Sequence, residues 1–236
     1  MSLLRIFVEK ALPLFDILDK EILRHISVRR LLQGDEFIIC DGRGKSYKYR
    51  IAKKKQGCIT VERLENINSF QPQRRLIYAQ SLVRPRKLEL IVSLGTQLGV
   101  EKFVFFVSKR SSIREIEIVE KRIDRLRNLA IASASISMDK LPEILTAPDL
   151  SLLLEEFPGY KTLMLYENAE QRLNLKWLET NKVEDILLII GPEGGFDGEE
   201  VQVVRENNGD IFSLGERVLT SEMAGLVVLS LIQFGV

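Results

Sequence analysis

The chain has 236 residues, 45% hydrophobic and 28% charged, with a net charge of +1. That is long for one average domain and enough to bury a real core. No run approaches the ~18 apolar residues of a membrane helix; Arg5, Glu9 and Lys10 interrupt any signal-peptide block; and two cysteines with one histidine argue against a zinc site and metal catalysis. Cys40 and Cys58 read as buried free thiols of a reducing cytoplasm.

Residues 3–8, 36–40, 46–52 and 57–63 are short β-prone runs, with glycine-marked turns at 41–46 and 53–57. Asp19 opens a helix over 19–32, with Ile22, Leu23, Ile26 and Arg30 at helical spacing. Together these predict a small β barrel carrying one helix over residues 1–70. Residues 66–73, with Pro72, form the linker. From residue 74 the pattern changes. Strands at 76–80, 102–107, 162–166, 185–190 and 211–214 alternate with helices. The helices lie at 86–98 (stopped by Gly99), 115–135, 198–207 (entered through Asp197) and 221–234. Such alternation predicts an α/β domain over 74–236, its parallel sheet covered on both faces. Charge divides along the same line. Residues 1–75 carry 16 Lys/Arg against 9 Asp/Glu, and residues 76–236 carry 18 against 24. The basic front half either meets a polyanion or simply solvates a small β domain.

Three loops follow three strands of the second domain: Tyr166-Glu167-Asn168, then 191–196, then 214–222. Ligands of open parallel sheets bind beyond the carboxyl ends of the strands, so all three can converge on one site. The central segment, LLIIGPEGGFDGEE, is a buried strand, a glycine turn and a helix start. Its glycines allow unusual backbone angles and close ligand approach. No Gly-Lys-Ser/Thr follows, so it is not a phosphate loop. Glu193, Asp197, Glu199 and Glu200 would repel phosphate, and an uncharged or cationic ligand edge fits better. Alone, the loop also reads as an ordinary tight turn. SLGERVLTSEMAG (213–225) repeats the logic. Gly215 makes the turn, Arg217 projects, Ser221 can cap the last helix and Glu222 sits in its first turn. Two such loops argue for a small-molecule cradle built of backbone groups.

GPEGGF at 191–196 with SLGERVLTSEMA at 213–224 resembles the signature of the RsmE family, the 16S ribosomal RNA (uracil-N3)-methyltransferases of the SPOUT superfamily. Residues 25–42, HISVRRLLQGDEFIICDG, are similar to that family's RNA-binding barrel. Residues 96–112, TQLGVEKFVFFVSKRSS, resemble the opening of its catalytic domain. The resemblance implies a PUA-like barrel followed by a SPOUT α/β domain whose C-terminal segment forms a deep trefoil knot, an exception to the rule against threaded chains. It further implies S-adenosyl-L-methionine as cofactor, a homodimer, and 16S rRNA of the small ribosomal subunit as partner. The methyl acceptor would be N3 of uridine 1498 in the usual rRNA numbering. Alternatives are another knotted RNA methyltransferase with a different target, and a catalytically weak RNA-binding protein that keeps the pocket.

Carried onto this chain, the cofactor residues are Leu165, Tyr166, Glu167, Ile190, Gly191, Pro192, Glu193, Gly194, Gly195, Leu214, Gly215, Val218 and Leu219. Glu222 is the candidate proton acceptor, and Arg217 the candidate stabiliser of negative charge on the uracil. Arg24, His25, Arg29, Arg30, Lys53, Lys54 and Lys55 are the candidate RNA contacts. His25, on the barrel's helix among arginines, reads as a phosphate contact or packing group rather than a base. The chain departs from the family pattern at Thr220, where a second Arg is expected, at Gln97, and at Ala134, Ser135 and Met138. These losses bear on the uracil pocket more than on the cofactor turns, whose glycines are intact.

Overall fold

The computed structural model describes residues 3–67, 74–136, 140–181 and 185–235. The chain forms two compact units, residues 1–71 with 134–141, and residues 72–133 with 142–236. Met138 lies outside the described residues.

The first unit is a five-stranded sheet of β1 (Arg5–Phe7), β2 (Leu14–Ile17), β3 (Glu36–Cys40), β4 (Ser46–Lys55) and β5 (Cys58–Ile67), in the order β1-β3-β4-β5-β2. One helix, α1 (Lys20–Val28), begins where Asp19 accepts from the amides of Glu21 and Ile22 at 2.9 Å, as a short acidic cap should. All five strands and the buried Ile26 of α1 contribute to one core, which includes Phe37, Ile39, Tyr49, Ile51 and Val61. Two expectations needed correction. Lys53, Lys54 and Lys55 extend β4 into a hairpin whose turn is only Gln56-Gly57, Lys55 pairing Cys58 across it. Helix α1 stops at Val28, because Arg30 takes a left-handed backbone at φ 55°.

The second unit holds a six-stranded sheet in the order β11-β9-β10-β6-β7-β8. The strands are β6 (Leu76–Ser81), β7 (Lys102–Phe106), β8 (Glu143–Ala147), β9 (Lys161–Leu165), β10 (Ile186–Ile190) and β11 (Asp210–Phe212), and every pairing is parallel. Residues of the central strands alternate between two cores. Tyr78, Leu188 and Ile190 face one side with Val228 and Leu229 of α8 (Ser221–Phe234). Ala79, Leu187 and Ile189 face the other with Leu153 of α5 (Leu150–Glu156) and Val201 of α7 (Gly198–Glu206). Burial on both faces is why these strands read as unbroken apolar runs. Helix α2 (Pro85–Gln97) follows β6 and ends before Gly99 at φ 80°. The predicted helix over 115–135 is two, α3 (Glu117–Glu120) and α4 (Ile123–Ala134). The ladder tightens between them, the Arg122 amide donating to the Val119 carbonyl three residues back. The remaining short helix, α6 (Leu175–Thr180), follows β9. In the sheet β10 is inserted between β9 and β6, so the strand order switches direction there, which is where such sheets open a ligand crevice.

Candidate cofactor and active site

A cavity of ≈ 600 Å³ lies beyond the carboxyl ends of β9, β10 and β11. That is within the range of small-molecule sites. Its walls are the three loops singled out from the sequence. Leu165, Tyr166, Glu167 and Asn168 come from the first, Gly191, Pro192, Glu193 and Gly195 from the second, and Leu214 through Ser221 from the third. Leu165, Ile190, Phe212, Leu219 and Ala224 supply apolar surface. Among its lining residues the acidic ones are Glu167, Glu193 and Glu216, against the basic Lys87 and Arg217.

The glycines have measurable reasons to be there. Gly195 has φ 69°, and a Cβ there would run into the Glu167 carboxylate. Gly215 has φ 99°, and a Cβ would lie 2.9 Å from Cζ of Arg172. The turn is held from behind by a capping box. Asp197 accepts from the amides of Glu199 and Glu200, and Glu200 accepts from the Asp197 amide. The buried Glu200 also accepts from Ser108 Oγ at 3.1 Å and the Lys109 amide at 3.1 Å, tying the loop after β7 to the loop after β10.

Polar contacts inside the site join β6, α2 and α8. Lys87 Nζ lies 2.9 Å from Glu222 and 3.3 Å from Glu193. Burial alone would raise the Glu222 carboxyl. Hydrogen bonds from Lys87, its own backbone and Thr220 outweigh that and hold it below the usual carboxylate value. Burial likewise pulls Lys87 down, but the two carboxylates keep it above an ordinary lysine. Deeper still, Gln80 Nε2 lies 3.0 Å from the Gly191 carbonyl and 2.9 Å from Ser221 Oγ, while Ser221 Oγ donates to the same carbonyl at 2.5 Å.

Every candidate cofactor residue except Gly194 lines this cavity. Gly194 is turned away, and a Cβ there would meet the Arg110 carbonyl oxygen at 3.0 Å. Arg217 lines the cavity and is exposed; Glu222 is not among the lining residues and meets the cavity through its ion pair with the lining residue Lys87. Ser221 does not cap α8; Thr220 occupies the cap position, and the Ser221 hydroxyl is spent on Gly191. Sequence reasoning missed Lys87 and Gln80. Applying the strand-end rule to β6 as well as β9, β10 and β11 would have found both, since β6 is the neighbour of β10.

In the first unit all seven candidate RNA contacts are exposed. Arg24 and His25 lie on α1, and Arg29 and Arg30 just beyond it. Lys54 Nζ donates to the Leu31 carbonyl at 2.6 Å, which fastens the lysine hairpin beside that arginine turn. The result is one basic edge, on which Lys54 is partly committed to structure.

The chain matches two family models, "RNA methyltransferase domain" over residues 70–233 and "RNA methyltransferase PUA domain" over residues 18–62. It is 29% identical to the ribosomal RNA small subunit methyltransferase E of Bacillus subtilis, covering 96% of this chain and 92% of that one. It is 27% identical to the protein of the same name from Mesomycoplasma hyopneumoniae, covering 96% and 97%. Two solved structures share the fold. The Neisseria gonorrhoeae ribosomal RNA small subunit methyltransferase E bound to S-adenosyl methionine superposes with a TM-score of 0.87 at 22% identity, covering 98% and 97%. A putative methyltransferase of Legionella pneumophila in complex with the same cofactor gives 0.86 at 23%, covering 100% and 98%. The first family model spans well over half of the residues, and its span contains both glycine loops of the cavity; the chain belongs to the RNA methyltransferase family that includes these small-subunit methyltransferase E proteins.

Proposed function

We propose that this protein transfers a methyl group from S-adenosyl-L-methionine to N3 of a uridine in 16S ribosomal RNA of the small ribosomal subunit. The observation that carries the reading is the cavity itself. Its walls are the two glycine loops and the loop after β9, and more acidic than basic side chains line it. That donor set fits a cationic sulfonium ligand and disfavours a phosphate. The apolar surface of Leu165, Ile190 and Leu219 suits an adenine ring, and the backbone groups of the turns suit its polar edge. When bound, S-adenosylmethionine supplies the electrophilic methyl group.

The residues of this chain then have the following work. Methyl transfer to N3 requires the ring to lose a proton and leaves negative charge on the uracil carbonyls in the transition state. Glu222, held ionised by Lys87, accepts the proton. Arg217, exposed and without an acidic partner among the described residues, offsets the charge on the carbonyls. The uridine must be unstacked for its N3 edge to enter the site. In the same reading residues 1–70 are a PUA-like RNA-binding module, and residues 74–236 a SPOUT domain with a trefoil knot at its C-terminal segment. The enzyme is a cytoplasmic homodimer that needs no metal.

Two measurements test this. In mass mapping of 16S rRNA, a strain lacking the protein is expected to lack the uridine N3 methyl, and the mark should return with the wild-type gene but not with Arg217→Ala. An intact mark in the deleted strain refutes the target. Turnover by Arg217→Ala equal to wild type, with RNA binding unchanged, refutes the role of Arg217. The basic edge has its own test. Lys53→Ala with Lys55→Ala is expected to weaken RNA binding for all sequences alike and to reduce its salt slope by about 2. An unchanged slope removes these lysines from the interface.

A further inference from the structure

The Gln80 side chain is fully buried at the carboxyl end of β6 and touches nothing that reacts. Its amide is nevertheless oriented with little freedom. Burial pushes the Tyr78 phenol well above its usual value, so it stays protonated, and it donates to Gln80 Oε1 at 3.2 Å. This turns the NH2 end toward the Gly191 carbonyl, Ser221 Oγ and the Ser81 carbonyl, at 3.0, 2.9 and 2.9 Å. The Ser221 hydroxyl can accept from Gln80 because its own proton goes to Gly191. The NH2 group has two protons for these three acceptors: the Gly191 carbonyl and Ser221 Oγ, 2.5 Å apart, share one N–H as a three-centre bond and the Ser81 carbonyl takes the other, so Gln80, Ser221 and Gly191 form a closed ring. Gly191 begins the loop after β10, and Ser221 begins α8 at the end of the loop after β11.

We infer that Gln80 is a positioning residue for the cofactor pocket. Its amide sets the spacing of two pocket walls by binding both through one buried hydrogen-bond ring. The inference rests on the cofactor reading above. An unpaired Gly191 carbonyl could tilt into the cavity or toward the sheet; with Gln80 and Ser221 both donating to it, the turn is formed before the ligand arrives. Preorganisation of this kind lowers the dissociation constant without changing the chemical step.

Calorimetry with S-adenosylmethionine, paired with steady-state kinetics, tests the assignment on the full chain. Gln80→Met keeps the length and removes both donors, and is expected to raise the cofactor Kd and KM roughly tenfold. Turnover at saturating cofactor should stay within about threefold of wild type. Ser221→Ala should raise Kd by roughly three- to tenfold, and the double variant should be no worse than about the poorer single one, since both act through the same carbonyl. Ser93→Ala, which loses a 2.9 Å side-chain hydrogen bond to Ser133, is the control for a structural loss and should leave Kd unchanged. If Gln80→Met does not fold, Ser221→Ala decides alone. Wild-type Kd in the folded variants, or singles that simply add, overturns the inference. Failure of the wild-type chain to bind S-adenosylmethionine overturns the cofactor reading and this inference together, a distinguishable result.

Discussion

Gly225→Ala is expected to destabilise the α/β unit by about 3 kcal/mol, at the upper end of what overpacking a core costs. A Cβ at Gly225 would overlap the Tyr78 hydroxyl and lie 2.6 Å from Cζ of the same ring. Tyr78 has no exposed surface to retreat to, and its ring packs against Phe103 with centroids 6.1 Å apart. The strain must therefore be relieved by α8 moving off β6. Ser221 stands four residues upstream on α8, one turn away, so that movement also draws it from Gly191. Urea unfolding should show the loss as a lower midpoint with an unchanged slope. The Tyr78→Phe background removes the overlapping oxygen and keeps the crowded ring carbons, so it should recover roughly half of the loss. A Gly225→Ala midpoint equal to wild type would refute this packing account.

Gly225 also marks where the sequence stops being legible. Its neighbours identify α8 as a helix by composition, but a glycine in a helix reads only as a local cost. The reason for it, Tyr78, lies on β6 at the start of the domain. Signals that live within a few residues came through. The Asp19 and Asp197 caps, the apolar run of β10 and the two glycine loops all announce themselves locally. Elements set by distant contacts did not. Strand β8 and helices α5 and α6 are each seven residues or fewer, too short for a period to stand out. The break between α3 and α4 falls inside a continuous amphipathic pattern, and the side chains of Arg122 in the break and Arg125 beyond it are held by Glu89 of α2. In the site, residues on loops after strands were readable from the strand-end rule. Lys87 was not, because a lysine in the first turn of a helix looks like a solvated charge until Glu193 and Glu222 are seen facing it.

That lysine sets up the prediction with the largest effect on turnover. Glu222→Gln is expected to lower kcat by ~10²- to 10⁴-fold at saturating cofactor and RNA, with cofactor Kd little changed. The pH profile carries the sign. In the wild-type chain the Glu222 carboxyl is held below its ordinary value of 4.5. It is therefore already deprotonated above that pH, and any acid limb due to Glu222 must lie lower. Its stabilising contribution to the fold runs the same way, present above pH ~4.5 and lost as pH falls through the depressed value. Lys87, raised above 10.5, contributes below that pH and loses its contribution as pH rises past it. Lys87→Met removes the leading hydrogen bond that lowers Glu222 and leaves burial, which raises it. The acid limb of kcat should then move upward, toward neutral pH, with the variant recovering activity as pH rises. Glu222→Gln should show no such limb, since nothing at that position titrates. A Lys87→Met profile superimposable on wild type would mean that Glu222 is not the proton acceptor. Turnover in Glu222→Gln within a fewfold of wild type would say the same by a second route, leaving the carboxylate as the partner that keeps Lys87 charged against the cavity wall.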